Sequence, residues 1–507
     1  MTIVRGRGEI GRRCRLKIGF LRSAGSSPAV RTIPLTLLAL TACNQRPDSG
    51  PVVVSAIGGR AQLADPARVR LDPGARLLMD ATAEGLVRFD AAGQIEPGLA
   101  ERWIVIDGGM SYIFRLREAQ WADGTPVAAR DVVAALRRQL AAGSRNPLAP
   151  FLTAVDEIVE MTPQVIEVRL KRPRPDLLKL FAQPELALSP ARGMPGAGPM
   201  RIVQAGRSML LRPAFDPGRA DPEDSRKTRP EDDVRLIGER AARAIIRFAA
   251  HDSDYVAGGT FVDWPLLALG GVAPANIRTD PAAGLFGFAI LNRDGFLADP
   301  ANRAAISASI DRAAVTAAVL PEWEPTDRLL PEQLDSAAPP TMPGWSLPTW
   351  EERRAAARAR VAAWTAGPVM LRIALPTGPG ATLVYGQVAA SLATIGIRAE
   401  RRVLNEAADL RLIDAVAPYD SARWYLANAC ALCGDSARAA LLAARDAPDL
   451  AERARRIGAA DVALTEDTAF IPIARPLRWS LVAMRLRQWR LNTRAWHPLN
   501  RLRNDTN

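Results

Sequence analysis

Histidine and cysteine, the side chains best suited to acid–base and nucleophilic chemistry near neutral pH, number only two and four among the 507 residues. There are two histidines, His251 and His497, far apart in the chain. A histidine-rich metal site is therefore excluded, and a Ser-His-Asp or Cys-His arrangement would rest on one of two residues with no motif around it. No G-x-S-x-G, H-E-x-x-H or P-loop sequence occurs. The one compact pair of reactive side chains is Cys430-Ala431-Leu432-Cys433. A C-x-x-C serves redox or metal chemistry in a reducing compartment and a local structural disulfide in an oxidising one. Four cysteines in all, with Cys14 and Cys43 near the chain start, leave no four-cysteine zinc site. No catalysis, metal or cofactor is expected.

The compartment is read from the chain start. Ile33 to Ala42 is a short apolar run behind Arg31, too short to span a bilayer and suited to a secretory signal. It ends in Leu40-Thr41-Ala42-Cys43, which resembles the bacterial lipobox. That resemblance implies cleavage before Cys43, leaving it as a diacylated N-terminal residue, a membrane anchor followed by a polar tether at 44–51. Residues 1–29 are basic and patternless, so translation is expected to start near Val30. The leader, 1–43, holds eight of the Lys/Arg residues and one acidic residue, about +7 of the formal +12. The remaining 58 basic and 53 acidic residues nearly balance, which argues against nucleic acid as a partner. In an oxidising periplasm the Cys430–Cys433 pair is expected to be a disulfide.

With 48% hydrophobic and 24% charged residues, the chain can build two or three ordinary globular domains. Val52 to Gly58 is a buried-strand pattern. Tyr112, Phe114 and Leu116 alternate with Ile113, Arg115 and Arg117, as a half-buried strand requires. Asp123-Gly124 is a turn, Thr125 a helix cap and Pro126 a first helical residue, with Ala129, Val132, Val133, Leu136 and Leu140 on one helix face. Val165–Leu170, Ala244–Phe248, Phe286–Asn292 and Met370–Leu375 read as strands. Asp299-Pro300 starts a helix running to Arg312, and Leu383–Thr394 is a second. Strand and helix alternate in the later half, a rhythm that predicts a partly parallel sheet covered by helices.

Five pieces, in order, are Glu84-Gly85-Leu86-Val87, Pro97-Gly98-Leu99-Ala100-Glu101-Arg102-Trp103, Tyr112 to Arg117, Trp121-Ala122-Asp123-Gly124-Thr125-Pro126 and Asp131-Val132-Val133. Together they resemble the large bacterial extracellular solute-binding proteins of family 5, the receptors of dipeptide, oligopeptide and nickel ABC importers. The resemblance extends over most of 52–493. It implies an α/β, two-lobed periplasmic-binding-protein fold of the large class II type with an extra β-rich accessory domain. Lobe I would comprise 52–82, 191–275 and 475–507, the accessory domain 83–190 and lobe II 276–474. It also implies a monomeric periplasmic lipoprotein that closes on a small-molecule or peptide ligand and docks on an ABC permease with a cytoplasmic ATPase. A relative that has become a sensor or partner-binding lipoprotein without transport is the alternative.

In peptide-binding relatives a carboxylate in a W-x-A-D-Y segment takes the peptide ammonium. The corresponding stretch here is Arg423-Trp424-Tyr425-Leu426-Ala427-Asn428-Ala429-Cys430, where Ala427 or Asn428 stands in the acidic position and Asp420 and Asp435 are the nearest carboxylates. The resemblance thus implies Arg423, Trp424, Tyr425 and Asn428 as ligand-binding residues, with the Cys430–Cys433 pair at the pocket rim. Arg475, after the late strand lining the cleft in relatives, is a candidate for an anionic group of the ligand. The missing acid makes a free-amine peptide a poor fit.

Overall fold

Val52–Ile57 is apolar or small throughout and buried at every position, which suits the middle of a sheet covered on both faces. In the computed structural model it lies parallel to Val234–Glu239 on one side and Tyr255–Thr260 on the other. The structure describes residues 49–191, 193–214, 229–332 and 334–503. Cys43, the leader and most of the tether lie outside these, as does 215–228.

Seven strands form the first lobe's sheet, in the order Ile277–Asp280, Arg478–Val482, Tyr255–Thr260, Val52–Ile57, Val234–Glu239, Met209–Pro213 and Met200–Gln204. The Ala244–Phe248 stretch expected as a strand is instead part of a helix, Ala241–Ala249. Ala241, Ala244, Ile245 and Phe248 are buried at helical spacing, whereas Ile246 between them is 64% exposed. Four apolar residues interrupted by Arg247 are compatible with either period, and the wider spacing decides.

The accessory sheet is antiparallel, in the order Ala100–Ile106, Ser111–Leu116, Val165–Leu170 and Val155–Thr162. Tyr112, Phe114 and Leu116 face its core. The helix over it runs Ala129–Leu140 with Ala128 as N-cap, later than the expected start at Thr125 and Pro126. Asp123 accepts hydrogen bonds from both the backbone N–H and the hydroxyl of Thr125, so the capping side chain is spent inside the turn. Pro126 bridges to Gln120 instead of opening the helix.

Five strands make the second lobe's sheet: Arg398–Val403, Met370–Leu375, Leu410–Val416, Gly284–Ile290 and Phe470–Ala474. Met370–Leu375 and Arg398–Val403 are parallel and joined through the helix Pro379–Ala393. Asp299 caps Pro300–Ser309 by accepting from the Ala301 N–H at 2.8 Å. That helix stops before Arg312; Asp311 caps a second one, Arg312–Ala317.

The chain passes between the two sheets at 281–283 and 475–477. The first crossing lies beyond position 276 because Ile277–Asp280 pairs with Arg478–Val482 in the first lobe. Phe261, which follows a first-lobe strand, is buried in the second lobe's core against Phe286, with ring centroids 4.8 Å apart. The Gly380 N–H donates to the Val262 carbonyl at 2.8 Å, and a Cβ on Gly380 would sit 1.9 Å from the Phe261 carbonyl oxygen. The two lobes thus meet at a tight pivot beside the crossings.

Candidate ligand-binding cleft

The helix Ala422–Ala429 carries four of the five residues singled out in the sequence, and it is clamped at both ends. At its start Asp335 accepts from the Ala422 N–H at 2.7 Å and the Ser421 hydroxyl at 3.1 Å, and also pairs with Arg453. At its end Cys430 and Cys433 are joined by a disulfide, with Cα atoms 5.1 Å apart. The Arg293 guanidinium holds the turn by donating to the Leu432 carbonyl at 3.1 Å and to Asp467 at 2.7 Å. Asp467 in turn accepts from the Gly434 N–H at 2.9 Å.

Trp424 and Tyr425 are buried, their rings edge-on with centroids 5.1 Å apart. Asn428 turns its amide back on its own helix, donating to the Trp424 carbonyl at 2.8 Å. Arg475 lies in the second crossing. It donates to the Gly284 carbonyl at 3.3 Å and the Leu329 carbonyl at 3.1 Å, and its guanidinium carbon is 5.8 Å from the Tyr425 ring centroid. Burial pulls its pKa down, and Tyr425 partly opposes this. Arg423 points elsewhere, with its guanidinium carbon 5.9 Å from the ring centroid of Phe151 in the accessory domain. The structure thus brings Arg475 to Tyr425 and sets Arg423 against a different body.

The residues that span the cleft carry little signal in the sequence. Lys179, from the accessory side, and Arg494, from the first lobe's C-terminal segment, both pair with Asp420 of the second lobe. Gln183 donates to the Pro418 carbonyl at 2.6 Å and Arg494 to the Ala417 carbonyl at 3.1 Å. Burial opposes the charge of Asp420, yet the Lys179 hydrogen bond and the Arg494 charge hold its carboxyl below the usual range. The Phe151 and Tyr419 rings meet edge-on at 5.8 Å. Arg172 reaches Asp446 at 3.4 Å. The lobes are therefore closed on one another through salt bridges and hydrogen bonds that a modest rotation would break. Asp420 is occupied by two cations, and Asp435 stands exposed at the start of the helix Asp435–Arg445.

The two histidines serve the framework. Buried His497 pairs with Asp280 at 3.0 Å and stacks on Trp489 at 4.4 Å, while His251 closes the end of Ala241–Ala249 with φ 59°. Among the described residues no group of three or more His, Cys, Asp or Glu side chains is placed to hold a metal ion. Nor is any described helix long and apolar enough to cross a membrane.

The family described as "Bacterial extracellular solute-binding proteins, family 5 Middle" matches residues 94–427. The probable deoxycholate-binding periplasmic protein YgiS of Escherichia coli K12 is 42% identical over 89 residues, 17% of this chain and 16% of that protein. The periplasmic oligopeptide-binding protein OppA of the same organism is 31% identical over 151 residues, 26% of this chain and 27% of that one. The matched segments therefore span well under a third of these two relatives. The fold match is broader: the structure of the Escherichia coli murein tripeptide binding protein MppA superposes with a TM-score of 0.75 at 19% identity, covering 89% of this chain and 98% of that one.

Proposed function

We propose, the chain being a member of the bacterial extracellular solute-binding proteins of family 5, that it is the solute-binding lipoprotein of an ABC importer. It captures a peptide-like or other small polar solute between its lobes and delivers it to a membrane permease. The observation that carries this reading is the two-crossing hinge at 281–283 and 475–477, with the Lys179–Asp420 and Gln183–Pro418 contacts joining the accessory side to the second lobe beside the first crossing, where the Ala417 N–H donates to the Ala283 carbonyl at 2.8 Å. Such a closure alters the surface that a permease meets, which is how a receptor can signal that it is loaded.

Trp424 and Tyr425 supply the apolar wall and Arg423 and Arg475 the cationic groups. Asn428, with an amide N–H held by the Trp424 carbonyl, offers its side-chain oxygen as an acceptor for the solute. Cys43 anchors the protein to a membrane facing the periplasm, and one copy suffices because the cleft is complete within one chain.

Thermal shift and calorimetry on the mature protein test the reading with peptides, opines, metal chelates and sugars. A true ligand at a hundredfold excess over its Kd adds about 2.7 kcal/mol. A protein shifted by no solute but by a partner protein would instead be a sensor without transport. For the anchor, Cys43→Ala is expected to move the protein from the membrane fraction to the soluble periplasmic fraction; an unchanged distribution removes the anchor from the proposal.

A further inference from the structure

Three buried side chains at the cleft keep polar atoms without a partner among the described residues. Arg174, 4% exposed, leaves Nε and Nη2 unbonded; Arg423, 7% exposed, leaves Nε and Nη1; and Tyr419, 2% exposed, leaves its hydroxyl. They come from facing bodies. Arg174 follows the accessory strand Val165–Leu170, whereas Tyr419 and Arg423 flank the start of Ala422–Ala429 in the second lobe. Phe151 packs against both Tyr419 and Arg423 and keeps the place apolar.

The carboxylates nearby are already used. Asp335 is held by Arg453, and Asp446 by Arg445 and Arg172. Arg174 and Arg423 make no ion pair among the described residues, and the Asp446 charge reaches Arg423 only at longer range, so both buried positive charges lack a direct counterion. Burial draws the Arg174 pKa down to about 10, with the Arg423 charge adding to the effect, and burial draws Arg423 down as well. A protein that retains two unpaired buried guanidiniums forgoes much stability, because an apolar residue of similar volume would serve the fold better.

We propose that Arg174 and Arg423, with the Tyr419 hydroxyl, form the subsite for a doubly charged anionic head of the solute, either a phosphate monoester or a pair of carboxylates. This rests on the solute-receptor reading above and names its substrate class. Each guanidinium fork can give two parallel N–H···O bonds to such a head, and the phenol a third kind of donor. The head would join accessory domain to second lobe, so the anion itself would complete the closure.

The test is the melting temperature of the mature protein in inorganic phosphate, citrate and chloride at equal ionic strength, for the native chain, Arg174→Met and Arg423→Met. Phosphate or citrate is expected to raise the native melting temperature by about 2 °C or more over chloride. Both variants are expected to melt at or above the native chain in chloride and to lose the anion increment. Stabilisation by phosphate alone assigns a phosphate head, and by citrate alone a carboxylate pair. Equal melting in all three salts overturns the inference, as does a variant that melts lower in chloride or fails to fold, since the arginine is then structural. The receptor reading is judged apart. A neutral solute that binds with no anion effect retains the receptor and removes the subsite, whereas anion effects without any bound solute do the reverse.

Discussion

Asp80 and Asp420 are two partly buried carboxyls with opposite consequences. Burial pushes Asp80 up to about 7, against the pull of the Arg88 and Arg76 charges. Between its ordinary value near 3.8 and about 7 the folded protein therefore binds more protons than the unfolded chain, so this group makes stability fall as pH rises through that window. Asp80→Asn is expected to gain about 1–3 kcal/mol at pH 7.5 and almost nothing at pH 4, read from urea melts at the two values. Asp420 works the other way. Its folded pKa is depressed, so its contribution is complete above the ordinary carboxylate range and is lost only as pH falls through the lower folded value. Asp420→Asn should weaken the contacts to Lys179 and Arg494 and cost about 1–3 kcal/mol at pH 7, with most of the difference gone in strong acid. The identity of such residues was partly legible: Arg423, Trp424 and Tyr425 stand together in the sequence. Their roles were not, because Arg423 meets Phe151 across a separation of hundreds of residues that no local pattern encodes.

At the scale of elements, regular periodicity is legible in the sequence and mixed signals are not. Val165–Leu170 and Met370–Leu375 form over the residues their patterns name. Ala244–Phe248 reads as a strand and folds as a helix because a short, mainly apolar run fits two periods, and the cap does not form at Thr125 because Asp123 engages the same side chain. The Cys430–Cys433 bridge belongs to this scale too. It closes a very short loop, so in the chain-entropy view it adds about 2 kcal/mol or less. The double change to serine is expected to lose about 1–2 kcal/mol in urea unfolding and to weaken solute binding, since Ala422–Ala429 is released at its C-terminal end. Equal affinity in the native and double-serine chains would separate the bridge from the pocket.

For the whole molecule, the motion proposed for function turns on the pivot and the closing contacts. Gly380→Ala would drive a Cβ into the Phe261 carbonyl and is expected to cost about 1–3 kcal/mol and shift the resting angle between lobes. Lys179→Ala should leave the pivot intact and favour an open form, visible in small-angle scattering as a larger radius of gyration without solute. An unchanged radius would show that Lys179–Asp420 does not hold the lobes shut.

The order of strands in the first lobe also bears on how the protein is made. Arg478–Val482, the last strand of the chain, lies between Ile277–Asp280 and Tyr255–Thr260, so it is an interior strand of the sheet. Val482 pairs with Tyr255, itself beside Val54, joining sequence positions hundreds of residues apart. The second lobe's strands are all synthesised before the first lobe can finish its sheet. A nascent chain therefore spends most of its synthesis with that sheet open, and polypeptides stopped short of Arg478 leave Ile277–Asp280 without its neighbour. Such fragments expose unpaired strand edges and are prone to aggregate.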